Sequence, residues 1–300
     1  MSSTKTKITR ATGLLIVEAV SSNPNGDPDR DSDPRQRPNG IGEISPVSFK
    51  RKLRDMLEDQ DGPVFESLKS TLGLDNERFH ILESRGRDRA AISKEMGKDI
   101  GKFDQAEFLE SPFVKKYWDA RLFGNTFLEA GGNKGYIKTG VAQIGMGLSL
   151  APIQIVRHTN TNKAGVEGDK DQGMAPLAYR VVEHAVYCMP FFINPSHARK
   201  SGCTPEDIEV LKHLIPHAYD HTRSAIRPDV RMRHAWFIEH KNSLGSCPDH
   251  LLIEALTPKR LGDDPSASSS SWSDYECPAS LPSELLERVE SCTDLCSGGQ

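Results

Sequence analysis

A chain of 300 residues, 36% hydrophobic and 27% charged, has the length and polarity of one elaborated globular domain or two small ones, and falls outside the disordered classes. No stretch reaches the roughly 20 apolar residues of a membrane span, and Met1 to Arg10 lack the apolar centre of a signal peptide, so a cytoplasmic protein with no membrane partner is expected. The formal net charge of −4 disfavours a nonspecific polyanion binder unless positive charge is gathered locally.

Gly13 to Val20 is a Leu-, Ile- and Val-rich run closed by Ser21, Ser22, Asn23 and Pro24, the pattern of a buried strand ending in a turn. A loop dense in Pro, Gly, Asn and Asp is then expected to about Ile44, long enough to be functional or disordered. Ser45 followed by Pro46 marks a helix start, with Ser capping the amides and Pro at the first helical position. Phe49, Leu53, Met56 and Leu57 repeat at helical spacing to about Glu58. On that wheel Lys50 and Arg54 flank one side of the apolar seam, Lys52 flanks the other, and Arg51 points to solvent. Residues 62 to 116 read as helical and irregular. Gly135 to His158 is strand-like, Thr159 to Pro176 is a polar projecting loop or hairpin, and Tyr179 to Ile193 is again apolar. Thr204 to Ala225 predicts an amphipathic helix behind a Thr cap, and His234 to His240 a late strand. This order suits an α+β fold of the ferredoxin-like kind with insertions. Asp263 to Ser273 is Ser-rich and reads as flexible.

Charge is gathered. Lys50, Arg51, Lys52 and Arg54 sit together, as do Arg85, Arg87 and Arg89, while acids cluster at Asp27 to Asp33, Asp55 to Asp61 and Asp104 to Glu110. Such separated patches let copies of one chain stack head to tail. Cys188, Cys203, Cys247, Cys277, Cys292 and Cys296 read as reduced thiols. Cys292 and Cys296 fit one helix face, but no second pair completes a zinc set.

Other motifs are weaker than their bland alternatives. Counted as a calcium loop from Asp27, the sixth position is Ser32 where Gly is needed and the twelfth is Pro38 where Glu is needed. Lys134-Gly135-Tyr136 opens like an RNA-recognition motif whose later aromatics are missing, and Gly145-Met146-Gly147 is half a dinucleotide fingerprint. His213, His217 and His221 form a column more typical of a half-exposed helix face than of a metal site. An Asp of the 27–33 loop is a candidate for metal-assisted RNA cleavage, which needs a carboxylate beside the scissile phosphate.

Asn23 to Asp29 behind an apolar strand, Val47-Ser48-Phe49-Lys50-Arg51-Lys52-Leu53-Arg54 opening a helix, Arg121-Leu122-Phe123-Gly124, Gly140 to Ser149 and His221-Thr222-Arg223-Ser224-Ala225 follow one another along most of the chain. In that order they resemble the CRISPR-associated backbone family of subtypes I-C and I-B. Ser273-Asp274-Tyr275 and Leu281-Pro282 resemble its closing strand. The resemblance implies a RAMP-superfamily α+β protein: a modified ferredoxin-like (RRM-like) palm, a helical finger-like insertion at 60–116, a thumb-like hairpin at 157–178 and a flexible Ser-rich segment at 263–273. It also implies a non-catalytic, cofactor-free and metal-free subunit that polymerises along one crRNA in a type I Cascade. Partners are then copies of itself, other Cascade subunits, the target DNA strand paired to the guide, and a recruited helicase-nuclease. Guide contacts are expected at Asn25, Ser45, Ser48, Lys50, Arg51, Arg54, Lys138, Gln143, Arg157 and His158, with Met174 as the wedge between bases. Thr139-Gly140-Val141-Ala142-Gln143 departs from the family's usual Gly-Pro pair and leaves the subtype open. The alternatives are a type III-like, metal-dependent RNA-cleaving backbone subunit using Asp27 or Asp33, and a regulator on the same fold that carries no guide.

Overall fold

A computed structural model describes residues 7–86, 88–96, 105–124, 139–162, 175–262, 264 and 266–297. The first apolar run forms β1 (Ala11–Ser22), whose first nine residues are all buried. Burial on both faces is the mark of a strand inside a covered sheet. The segment expected as a loop carries β2 (Gly26–Asp27) and β3 (Asp33–Pro34), which pair as a small hairpin, and then β4 (Ile41–Ile44). Helix α1 (Pro46–Glu58) follows the predicted boundaries.

The helical stretch after it contains α2 (Pro63–Leu72), stopped by Gly73 at φ 67°, then α3 (Arg89–Met96), α4 (Gln105–Leu109), α5 (Pro112–Lys116) and α6 (Trp118–Phe123). Three strands, β5 (Ala142–Ile144), β6 (Gly147–Pro152) and β7 (Ile155–Asn162), lead to the 19-residue β8 (Ala175–Ile193). A short α7 (Ala198–Ser201) precedes α8 (Pro205–Leu214). The single helix expected to Ala225 stops at Leu214 and gives way to two 3-10 turns, Ile215–His217 and Asp220–Thr222. Pro216 lacks the amide that the next helical hydrogen bond requires. The chain ends with β9 (Val230–His240), α9 (Asp249–Leu256), β10 (Lys259–Arg260), β11 (Tyr275–Glu276), α10 (Ser283–Leu286) and β12 (Val289–Asp294). Cys292 therefore lies in a strand, not on a helix face, and the closing strand of the main sheet is β12, since among the described residues β11 pairs with β10 and not with that sheet.

Among the described residues, eight strands form one antiparallel sheet in the order β12-β9-β1-β8-β6-β4, with β5 and β7 also on β8. Its long middle strand holds two sides at once: β1 along Val182 to Ile193, and β5, β6 and β7 in succession along the other edge. Before Val182 only β7 continues as a partner, so Tyr179 back to Ala175 and His158 to Asn162 form a two-stranded ribbon. Gly13 sits opposite Phe191, whose ring lies where a Cβ would be. One sheet face packs against α1, α2 and α8 through Phe49, Leu53, Phe65 and Leu211, the other against α9 and the chain around Tyr275 and Leu281. Among the described residues no helix is long and apolar enough to cross a membrane.

Candidate nucleic-acid interface

Where β1 ends, the chain turns beneath the amino end of α1 and is locked there. Asn25 Oδ1 accepts a hydrogen bond from the Ser45 amide at 2.7 Å, and Ser45 Oγ accepts from the Ser48 amide at 3.2 Å. Ser45 has the extended backbone of a cap (φ −74°, ψ 146°), Pro46 takes the first turn, and that turn carries no acidic side chain. The positive end of the helix dipole is thus left without a carboxylate of its own.

One turn further in, Lys52 Nζ donates to Ser48 Oγ at 3.1 Å and lies 5.2 Å from the centre of the Tyr219 ring. Burial, reinforced by the nearby Arg227 guanidinium, pushes this lysine down to about 7. Arg227 is held by the carbonyl of Asn23 at 3.0 Å. The side-chain oxygens of Tyr219 and Asn23 are buried, and neither has a hydrogen-bond partner among the described residues. The sequence points to neither Tyr219 nor Arg227, and it sets Lys52 among the gathered cations but not among the guide contacts. The wheel placed Lys52 at the seam without its partners, and Arg227 falls just beyond the His221 to Ala225 motif.

The other flank of α1 uses its cations differently. Arg54, with a side chain 6% exposed, donates to Asp119 at 2.8 Å and pairs with Glu83 at 2.9 Å. Asp119 also accepts from the Leu82 amide at 2.7 Å. Arg51, expected to face solvent, is instead bound to Asp55, Glu58 and the Glu83 carbonyl. Lys50 lies over the Phe123 ring at 5.1 Å, and burial lowers its pKa. Arg51 and Arg54 are thus engaged in fastening α1 to the segment around Glu83 and to α6.

Farther along the same side, Arg157 and His158 are exposed on β7, and His158 stacks on Tyr179 across the ribbon with ring centres 5.7 Å apart. Arg180 pairs with Asp33 and so ties the β2–β3 hairpin to the root of the ribbon. A cleft of about 270 Å³ lies there, lined by Asn23, Ser32, Arg157, Tyr179 and Ile226. Asn23 lines this cleft and its carbonyl holds Arg227, so the cleft adjoins the arginine beside Lys52. Gln143 Nε2 donates to the Gly140 carbonyl at 2.8 Å. Lys138 and Met174 lie outside the described residues.

In the acidic loop Asp27 accepts from the Asp29 amide at 3.2 Å, while Asp31 and Ser32 adopt left-handed backbone at φ 48° and 63°. Among the described residues no group of three His, Cys, Asp or Glu side chains is placed to hold a metal ion. His213, His217 and His221 instead rim an apolar cleft with Met56, Leu68 and Leu214.

Residues 9–280 match the family described as CRISPR-associated protein Cas7. A protein named CRISPR-associated protein Cas7 from Haloferax volcanii is 24% identical over 315 aligned residues, which cover 96% of this chain and 86% of the relative. Among solved structures, a chain of a CRISPR RNA-guided surveillance complex in a pre-nicking state aligns with a TM-score of 0.44 and 13% identity over 76% of this chain and 78% of its own. A second CRISPR RNA-guided surveillance complex chain aligns at 0.37 and 11% over 75% and 68%.

Proposed function

Because this chain belongs to the CRISPR-associated protein Cas7 family, we propose that it is a non-catalytic, crRNA-binding backbone subunit of a type I surveillance complex, of subtype I-C or I-B. The family match along residues 9–280 is the observation that carries this reading. The large antiparallel sheet serves as a ferredoxin-like palm, 60–116 as the finger and 157–178 as the thumb. Copies of the chain line up on one guide in the cytoplasm, beside other Cascade subunits, and the assembly pairs the guide with target DNA and recruits a helicase-nuclease.

The guide runs along the surface from the α1 amino end to the ribbon. Asn25, Ser45, Ser48, Lys50, Gln143, Arg157 and His158 contact its sugar-phosphate chain, Lys138 adds a cation, and Met174 wedges between bases. Arg51 and Arg54 act one step back, by fixing the pitch of α1. Contacts confined to phosphate and sugar position the guide and leave its base edges to read the target.

Coexpression with a repeat-spacer transcript tests this. Particles holding several chains per RNA, with affinity that falls steeply as salt rises, are expected. A chain that purifies as an RNA-free monomer overturns the reading. Regular magnesium-dependent cuts in a complementary RNA, lost in Asp27→Ala or Asp33→Ala, overturn its non-catalytic half.

A further inference from the structure

We propose that Lys52 and Arg227 form a buried phosphate seat at the amino end of α1, and that a nucleotide phosphate entering it brings one proton from solvent onto the lysine. The inference rests on the reading that α1 grips a guide backbone.

The seat is distinguished by what surrounds it. Lys52 is 5% exposed, yet its contacts are neutral: the hydroxyl and carbonyl of Ser48 and the face of Tyr219. Two guanidiniums, Arg227 from the chain before β9 and Arg85 from the segment between α2 and α3, both disfavour its charge. The carboxylate acting on it, Asp55 of its own helix, is already shared by Arg51 and Arg85. Tyr219, on the turn after α8, has its hydroxyl pushed far up by burial and so stays protonated. A buried cation without a counter-ion is costly, and the ordinary outcome is that it gives up its proton.

Two further atoms point to what completes the arrangement. Tyr219 Oη interacts electrostatically with Arg227, is buried, and has no hydrogen-bond partner among the described residues. Asn23 Oδ1, on the residue whose carbonyl holds Arg227, is in the same condition. A phenol can donate and an amide oxygen can only accept. A nucleotide offers phosphate oxygens to the first and a ribose hydroxyl to the second. The amino end of α1 adds its dipole and two serine hydroxyls.

With Lys52 at about 7 before binding and charged against a phosphate afterwards, uptake is about half a proton at pH 7 and approaches one above pH 8. Affinity then falls about 30-fold between pH 6.0 and 8.5.

The test uses the full chain and a single-stranded RNA oligonucleotide at constant ionic strength. Dissociation constants are measured from pH 6.0 to 8.5, and proton uptake is measured by calorimetry in two buffers of different ionisation enthalpy. Wild type is expected to show the slope and the uptake. Lys52→Arg is expected to bind at pH 6.0 as wild type does and to keep only the shallow slope that His158 on the guide surface contributes, and Lys52→Met to bind weakly with the same shallow slope. A flat wild-type profile with no proton uptake overturns the seat while leaving the backbone-subunit reading standing, and so does a slope as steep as that of wild type in either variant. If wild type binds no RNA at any pH, it is the backbone-subunit reading that falls. Should Lys52→Arg not fold, Lys52→Met and the wild-type proton count still decide.

Discussion

Arg121 and Lys52 are both buried cations, and they are solved in opposite ways. Arg121, 1% exposed, makes a two-pronged pair with Asp207 at 2.7 and 3.0 Å and donates its remaining hydrogens to the carbonyls of Arg78, Val114 and Lys115. Arg54 with Asp119 repeats the arrangement on a smaller scale. Lys52 is nearly as enclosed, but its direct contacts are a serine and a phenol ring, two guanidiniums act against its charge, and the carboxylate acting on it, Asp55, is shared by Arg51 and Arg85. A buried charge matched by every neighbour builds a scaffold, whereas one left unmatched marks a place where binding supplies the partner.

The comparison is broken most sharply at Arg121. Replacing it with Leu strands Asp207, which is fully buried and also caps α8 by accepting from the Thr204 amide at 2.8 Å. The expected loss is about 3 to 5 kcal/mol of stability, read from the urea midpoint. The double variant Arg121→Leu/Asp207→Leu should recover part of that loss and not all, because the cap goes with the carboxylate. Full recovery would show that the pair contributes nothing beyond its own neutralisation.

At Lys52 the effect is smaller and runs through pH. The folded chain holds this proton at about 7 against an ordinary 10.5, so the unfolded chain binds more protons between those values. Stability from this group is therefore full above pH 10.5 and lost as pH falls through 7. RNA-free wild type should gain about 1.5 kcal/mol from pH 7 to 8.5 relative to Lys52→Met. The measurement stops at 8.5 because Cys188, Cys292 and Cys296, pushed up to about 12, 11 and 12 by burial, pull the other way once unfolded thiols ionise. Parallel profiles for the two proteins would place the Lys52 ammonium in a solvated setting and remove the contrast with Arg121.

The difference between these cations was not legible in the chain. Local signals read well where local physics decides: the apolar run of β1, the Ser45-Pro46 start of α1 and its 3.6-residue stripe all reappear at their expected places. A helical wheel says only that Lys52 and Arg54 flank the seam. Their fates are set by partners remote in sequence, Asp119 at 65 positions from Arg54 and Arg227 far beyond Lys52. The edge strand β12 was missed because Val289-Glu290-Ser291-Cys292-Thr293-Asp294 is short and mostly polar, and its pairing with β9 is a tertiary fact. The break in the helix after Leu214 was available in Pro216 and was outweighed by the amphipathic pattern.

The smallest effect separates stability from binding at the α1 amino end itself. Ser45→Ala leaves the Ser48 amide without its acceptor and should cost about 1 kcal/mol. Ser45→Asp restores an acceptor and suits the helix dipole, so the urea midpoint should return to wild type or rise above it. RNA affinity should nonetheless fall further in Ser45→Asp than in Ser45→Ala, because a fixed carboxylate then faces the phosphate that Lys52 and Arg227 are left to receive. If the two variants instead rank alike in stability and in RNA affinity, the cap serves the helix alone and the phosphate lies elsewhere.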